Sequence, residues 1–359
     1  MVAFEARCST TAMGIMPHRD VDRALELALS LDIPFWPQLP KVSLYEDMYV
    51  QASQNFPGIA IDLDKERLVF NTARFEQELD EYFVKMDSPD AFALTAEYSR
   101  VFHKFLSGEL QGYKAIRGQM TGPVSFGLKV LDEDLKPLIY NEEARTILFD
   151  FIQRKVNIQY QELRKKNPNV IVWVDEPGLG YVFSGFSGYN EQHAREDYHK
   201  FVEGLEGPRG LHLCAEVNLP YLLELGVEIL SFDAYQIEFM PGEYAGSVAE
   251  FIKNGGVISW GIIPTESTAL AAQTPEALAA ILSSYWEVIS ENTGLSSNQI
   301  AKQALLAPAR CCLSDLGQVN SAGKTASECQ VSSIEERLVE RAFAFLPELS
   351  QILRDKYGV

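Results

Sequence analysis

Short apolar runs recur along the chain, each followed by a longer stretch with helical spacing. Eight of these runs read as strands: residues 11–16, 34–39, 114–120, 170–174, 210–214, 228–232, 256–262 and 304–308. The intervals carry the other period. Leu25, Leu27, Leu29 and Leu31 stand among charges, Phe75, Leu79 and Phe83 fall on one helical face, and Ile147, Phe151, Ile158 and Leu163 repeat similarly. Helices are therefore expected over 21–31, 72–85, 142–166, 197–205, 220–225, 247–254, 275–291 and 333–356. Thr274-Pro275-Glu276 and Ser332-Ser333-Ile334-Glu335 carry helix-start chemistry.

Buried strands alternating with helices predict an α/β fold, a (β/α)8 TIM barrel. The interval between the second and third strands is too long for one helix. It is expected to hold an insertion: a hairpin over 58–70, where Ile59, Ile61 and Leu63 alternate, and extra helices. An open doubly wound sheet is the competing arrangement, but no GxGxxG or P-loop favours it. No linker-like stretch divides the chain, so 1–359 is read as a single domain.

Composition narrows the function classes. Apolar residues make up 47% and charged residues 23%, ordinary globular values that exclude wholesale disorder. The net charge of −19 argues against binding nucleic acid or an anionic membrane, both of which need a basic face. No apolar run is long enough to span a bilayer, and the N-terminus lacks the apolar core of a signal peptide. Five cysteines are too few and too scattered for a disulfide framework, which points to a cytoplasmic protein.

In a barrel the chemistry sits where the strands end at their carboxyl side. The first run leads into Gly14-Ile15-Met16-Pro17-His18, the third into Thr121-Gly122-Pro123 and the fourth into Asp175-Glu176-Pro177. The fifth ends in His212-Leu213-Cys214, the sixth in Asp233, and the eighth is followed by Cys311-Cys312. Residues i and i+2 of a strand face the same way, so His212 and Cys214 share one space. With Asp233 and Cys311 they offer the N, S and O donors that zinc favours. His212 as a core imidazole and Cys214 as a small hydrophobe is the plain alternative. Asp175 and Glu176, two acids beyond a buried strand, suit amino-group binding or general-base work, or a solvated loop. Thr121 can offer a hydroxyl to a ligand, and His18 can touch it.

Taken in order, these motifs resemble the catalytic domain of the zinc-dependent, cobalamin-independent methionine synthase family, within the uroporphyrinogen decarboxylase/methionine synthase-like superfamily. The resemblance runs from Thr10 to about Gly317. It implies a zinc site of His212, Cys214 and Cys311, with Asp233 in the place of the family's glutamate, although Cys312 stands beside Cys311 as an alternative ligand. It implies that Asp175 holds the substrate's amino group and that Gly14, Ile15 and Met16 receive its carboxylate, while Glu176 and Thr121 remain substrate-binding candidates from their place at the strand ends. Asp175 and His18 are the catalytic candidates.

The resemblance has gaps. Ile15 stands where the family usually has Ser, and Gly261-Ile262-Ile263-Pro264-Thr265 lacks the histidine that protonates the folate leaving group. A corrinoid, free or protein-bound, then becomes the expected methyl donor, because its leaving group needs no proton. The expected activity is zinc-dependent methylation of a small thiol, with homocysteine first and a coenzyme thiol second. A non-catalytic, corrinoid-handling partner is one alternative. A tetrapyrrole decarboxylase-like lyase is another, and would need arginines such as Arg19 and Arg23 to bind carboxylates.

Overall fold

Seven strands form one all-parallel sheet in the order β1-β9-β8-β7-β6-β5-β4. They are β1 (Ser9–Thr10), β4 (Ile116–Thr121), β5 (Val170–Asp175), β6 (Arg209–Leu213), β7 (Ile229–Asp233), β8 (Val257–Ile263) and β9 (Ala304–Pro308). A separate antiparallel hairpin pairs β2 (Ile59–Asp62) with β3 (Arg67–Phe70). The structure is a computed structural model that describes residues 2, 4–182, 189, 191–214, 218–311 and 328–359, and for 182, 191 and 328–333 the backbone alone.

The expected strand over 34–39 does not form a ladder. It closes the ring through single contacts instead. Phe35 bridges Arg117 on the β4 edge, and Gln38 bridges Ile15 beyond the β1 edge. Ile33 N–H donates to Thr10 O, Gln38 N–H to Gly14 O, and Arg117 N–H to Pro34 O. The first strand is equally short, its ladder ending at Thr10 where 11–16 was expected.

Side chains supply the physical reason. The Arg117 guanidinium donates to Ala12 O, and Gln119 Nε2 donates to Trp36 O at 2.8 Å. Carbonyls that a ladder would have used are taken up by β4 side chains, so buried backbone groups stay satisfied without regular pairing. Gly14 is required here, since a Cβ would sit 2.7 Å from Gln119 Cδ.

The parallel register sorts the sheet into two faces. Ala115, Ile171, Trp173, Ile229, Val257, Leu305 and Ala307 join Ala6, Met13 and Ile33 in one small cluster, the barrel interior. Alternate residues, such as Ile116, Val172, Val174, Leu211, Leu230 and Ile258, belong to the larger core shared with the helices.

The interval between Gln38 and β4 holds the helix Met48–Ser53, the β2–β3 hairpin and the helices Thr72–Lys85 and Arg100–Leu106. Elsewhere helices follow strands: Pro123–Lys129 and Glu142–Arg164 after β4, Glu191–Glu203 after β5, Gly242–Lys253 after β7 and Pro275–Thr293 after β8. Asp20, Asn71, Asn141 and Thr274 cap their helices through side-chain oxygens. Three helices begin at least five residues earlier than expected, one of them at Gly242 rather than 247. The helix expected from 197 begins at Glu191, and the last begins at Glu328, ahead of Ser332. None of the helices among the described residues is long and apolar enough to cross a membrane.

Candidate functional site

The barrel interior turns polar toward the carboxyl ends of the strands. Register aligns Thr121 on β4, Asp175 on β5 and His212 on β6 in one row, which continues through Ser231 and Ser259. Side chains in one row of a parallel sheet share a face. The next row up carries Asp233 against Gly261, with Cys214 just past the end of β6.

His212 is the best-defined member. It is 2% exposed, and its ring stacks on Trp173 with centroids 5.7 Å apart and planes 15° apart. Its Nδ1 lies 3.0 Å from Ser231 Oγ, while Nε2 is buried with no hydrogen-bond partner among the described residues. Burial, and then the charge of Arg117, push its pKa down to about 3, so the imidazole is neutral at physiological pH. A neutral imidazole with one nitrogen fixed and the other vacant is the form in which histidine binds a metal or accepts a proton.

The thiols lie among the same charges. Burial raises the Cys214 pKa, with Asp175 and Asp233 adding to the rise and Arg310 opposing it. Asp175 and Cys311 both act on Arg117, and Cys214 and Cys311 both act on Tyr49 from the helix Met48–Ser53. Sequence, strand register and electrostatics thus bring Asp175, His212, Cys214, Asp233, Arg310 and Cys311 to one end of the barrel.

Asp233 is less available than expected. Arg310 Nε donates to its Oδ2 at 2.5 Å, and Gln236 N–H donates to its Oδ1 at 3.1 Å. A carboxylate with both oxygens engaged would have to release one to bind a cation. Among the described residues no group of three or more His, Cys, Asp and Glu stands in position to hold a metal ion, so neither the expected four-ligand set nor the trio of His212, Cys214 and Cys311 is pre-assembled. By donor chemistry His212 Nε2 and the thiols of Cys214 and Cys311 fit zinc, and Asp233 in its pair with Arg310 does not. The alternative ligand, Cys312, lies outside the described residues.

Asp175 and Glu176 take opposite roles. Glu176 is fully buried and holds the N-terminus of the helix Pro123–Lys129. Its Oε1 accepts from Val124 N–H at 3.1 Å, and its Oε2 from Ser125 N–H at 2.8 Å and Ser125 Oγ at 2.6 Å. Gly122 makes room for it, since a Cβ there would fall 2.1 Å from Glu176 Oε1. The Thr121 hydroxyl likewise donates to Met48 O at 3.0 Å. Both residues were expected to meet substrate, and both are engaged in joining the strand ends to the helices. Burial raises the Asp175 pKa to about 7, opposed by Arg117, and no hydrogen bond to its carboxylate is made among the described residues.

The first loop is also committed in part. Met16 N–H donates to Gln38 O at 3.0 Å, so it is not open to a substrate carboxylate, and Ile15 is in the bridge to Gln38. His18 is 1% exposed with neither ring nitrogen partnered among the described residues. Burial lowers its pKa, and the charges acting on it are Glu336, Glu340, Arg23 and Asp20, those of the neighbouring helices rather than of the barrel end. Arg19 donates to Lys41 O, and Arg23 pairs with Glu26 and Glu340. The arginines that a polycarboxylate lyase would need are thus tied to the outer helices.

No protein-family model matches the chain, and no curated protein matches it in sequence. Solved structures do resemble it. The chain is similar to B12-independent methionine synthases. The one from Shewanella sp. W3-18-1, in complex with selenomethionine, is 16% identical with a TM-score of 0.44, over 67% of this chain. The chain spans 63% of that enzyme's length. A putative vitamin-B12 independent methionine synthase from Listeria monocytogenes is 14% identical with a TM-score of 0.42, covering 95% of this chain and 98% of its own.

Sequence reasoning missed Arg117, Trp173, Ser231 and Arg310. Arg117 carried a signal: a charge inside the strand Ala115-Ile116-Arg117-Gly118-Gln119-Met120 is costly to bury unless it does something there. Trp173 read as plain core. The part played by Ser231 depends on register, which no local pattern reveals.

Proposed function

We propose that the chain is a thiol S-methyltransferase of the methionine synthase kind. Its substrate is a small thiol, homocysteine first, its methyl donor a corrinoid, and its metal zinc held by His212, Cys214 and Cys311. The observation that supports it most is His212: a neutral, buried imidazole with Nδ1 fixed and Nε2 unpartnered, two residues from a thiol on the same strand end. A metal held there would acidify a substrate thiol, whose ordinary pKa is about 8.5.

The chain's own residues do the rest. Asp175 offers a carboxyl without a hydrogen bond among the described residues to a substrate amino group, and the arrival of that cation would favour its ionised form. Trp173 and Ser231 fix the imidazole plane before anything binds, so little reorganisation is needed. Glu176 ties the Asp175 loop to the helix beyond β4 and so holds that carboxyl in place. Arg310 keeps the buried Asp233 charge neutralised beside the thiols.

The test is metal analysis of protein purified without chelators, together with methyl transfer from methylcobalamin to a panel of thiols, read by the corrinoid's spectral change. Near-stoichiometric zinc, lost in H212A and C214S together with transfer, is expected. Transfer by a metal-free protein would overturn the zinc assignment.

A second reading, a non-catalytic corrinoid-handling partner, is favoured by the engagement of Asp233 with Arg310. Zinc protein that releases no proton on titration with any thiol would establish it over the first.

A further inference from the structure

Inside the barrel, an arginine, a tryptophan and a histidine from three adjacent strands are in successive contact. Arg117 Cζ lies 4.1 Å from the Trp173 ring centroid and 4.8 Å from that of Phe35. Trp173, on the strand between, carries the His212 ring stacked nearly parallel to its own. Gly210 permits this arrangement: a Cβ there would fall 2.5 Å from Trp173 Cδ1, so the indole lies over β6 where only a hydrogen can face it. The indole Nε1 has no hydrogen-bond partner among the described residues. Ring contacts, not a hydrogen bond, therefore hold Trp173 in place.

Arg117 itself is fully buried. Its fork is fixed by Ala12 O, Gly118 O, Gln119 Oε1 and, at 3.4 Å, Thr11 Oγ1. Among the described residues it makes no ion pair. A guanidinium pinned along its edge presents its flat face to a ring, and that cation–π contact is strongest where water is excluded.

We propose that Arg117 is the positioning residue of this site: through Trp173 it holds the His212 imidazole in the one orientation that bonds Ser231 and leaves Nε2 vacant. The proposal rests on the reading of His212 as the group that meets a metal. It adds that the orientation is set from β4, two strands away, by a residue that touches no ligand. Ring closure through Ala12 is a second, structural task of the same side chain, so stability alone does not test the claim.

The test labels histidine Cε1 in the full chain, where five histidines give five resolvable signals and H212Q identifies one of them. In R117M the His212 signal is expected to lose its tryptophan ring-current shift while the other four stay in place. R117K, which keeps the charge but not the flat face, should fall between. Co2+ affinity, measured by competition with a chelator, should drop about 10-fold or more in R117M, the usual effect of losing an outer-shell partner. G210A, which crowds the indole without touching Arg117, gives an independent reading if R117M fails to fold, and the same loss is expected.

A His212 signal unmoved in R117M, or in G210A where only that variant folds, overturns the proposal. A signal that moves while the native protein takes up no Co2+ upholds the positioning role and overturns the metal reading instead.

Discussion

Two adjacent carboxyl groups show how much a single position decides. Glu176 accepts three hydrogen bonds at a helix N-terminus, and Asp175 has none among the described residues. Removing the first should unfasten the strand end. E176A is expected to lower unfolding free energy by about 2 kcal/mol or more, since three hydrogen bonds at a buried helix N-terminus are lost, as read by urea denaturation. Asp175 acts in the opposite direction. Its folded pKa, about 7, lies above the unfolded value of 3.8, because burial disfavours the anion. The folded state therefore holds that proton more tightly, and the group's contribution to stability is fully present below pH 3.8 and lost as pH rises to 7. D175N should melt higher than the native chain at pH 8, with the gap closing by pH 4, while thiol methylation is lost. A gap independent of pH would show that Asp175 is not the titrating group.

At the scale of elements, local chemistry and long-range closure act on different parts of the chain. The helix Pro275–Thr293 begins where Thr274-Pro275-Glu276 predicts, with Thr274 Oγ1 accepting from Ala277 N–H and Gly294 ending it at φ 70°. T274A should cost about 1 kcal/mol in equilibrium unfolding without moving the site. The helix Glu191–Glu203 starts earlier than expected because its buried positions include Ala194, whose small side chain left little mark beside Tyr198, Phe201 and Val202. The first two strands were legible as apolar runs, yet neither completes a regular ladder. Arg117 and Gln119, from a strand far along the chain, take the carbonyls involved.

For the whole molecule, acids outnumber bases, while the barrel interior holds the fully buried cation Arg117. The net charge of −19 means that the folded chain repels itself, and ionic strength screens that repulsion over roughly 8 Å at 0.15 M. The melting temperature should therefore rise between 10 mM and 150 mM sodium chloride, as measured by calorimetry. A fall would show that attractive ion pairs, such as Arg209–Glu228, outweigh the general repulsion.

The sequence by itself determined the alternation of strands and helices, the order of the strand ends, and the set of polar residues at those ends. These follow from side-chain period and from turn and cap chemistry, which act between residues close along the chain. Only the tertiary structure decided which of those polar groups are free. Glu176, Thr121 and Asp233 find partners on Ser125, Met48 and Arg310, whereas His212 keeps one ring nitrogen without a partner among the described residues. Whether a buried donor or acceptor is satisfied depends on distances of a few ångströms between residues up to 77 positions apart, Asp233 and Arg310 being the most widely separated of these pairs. Such distances are set by strand register and by the closing of the ring. No local pattern encodes them.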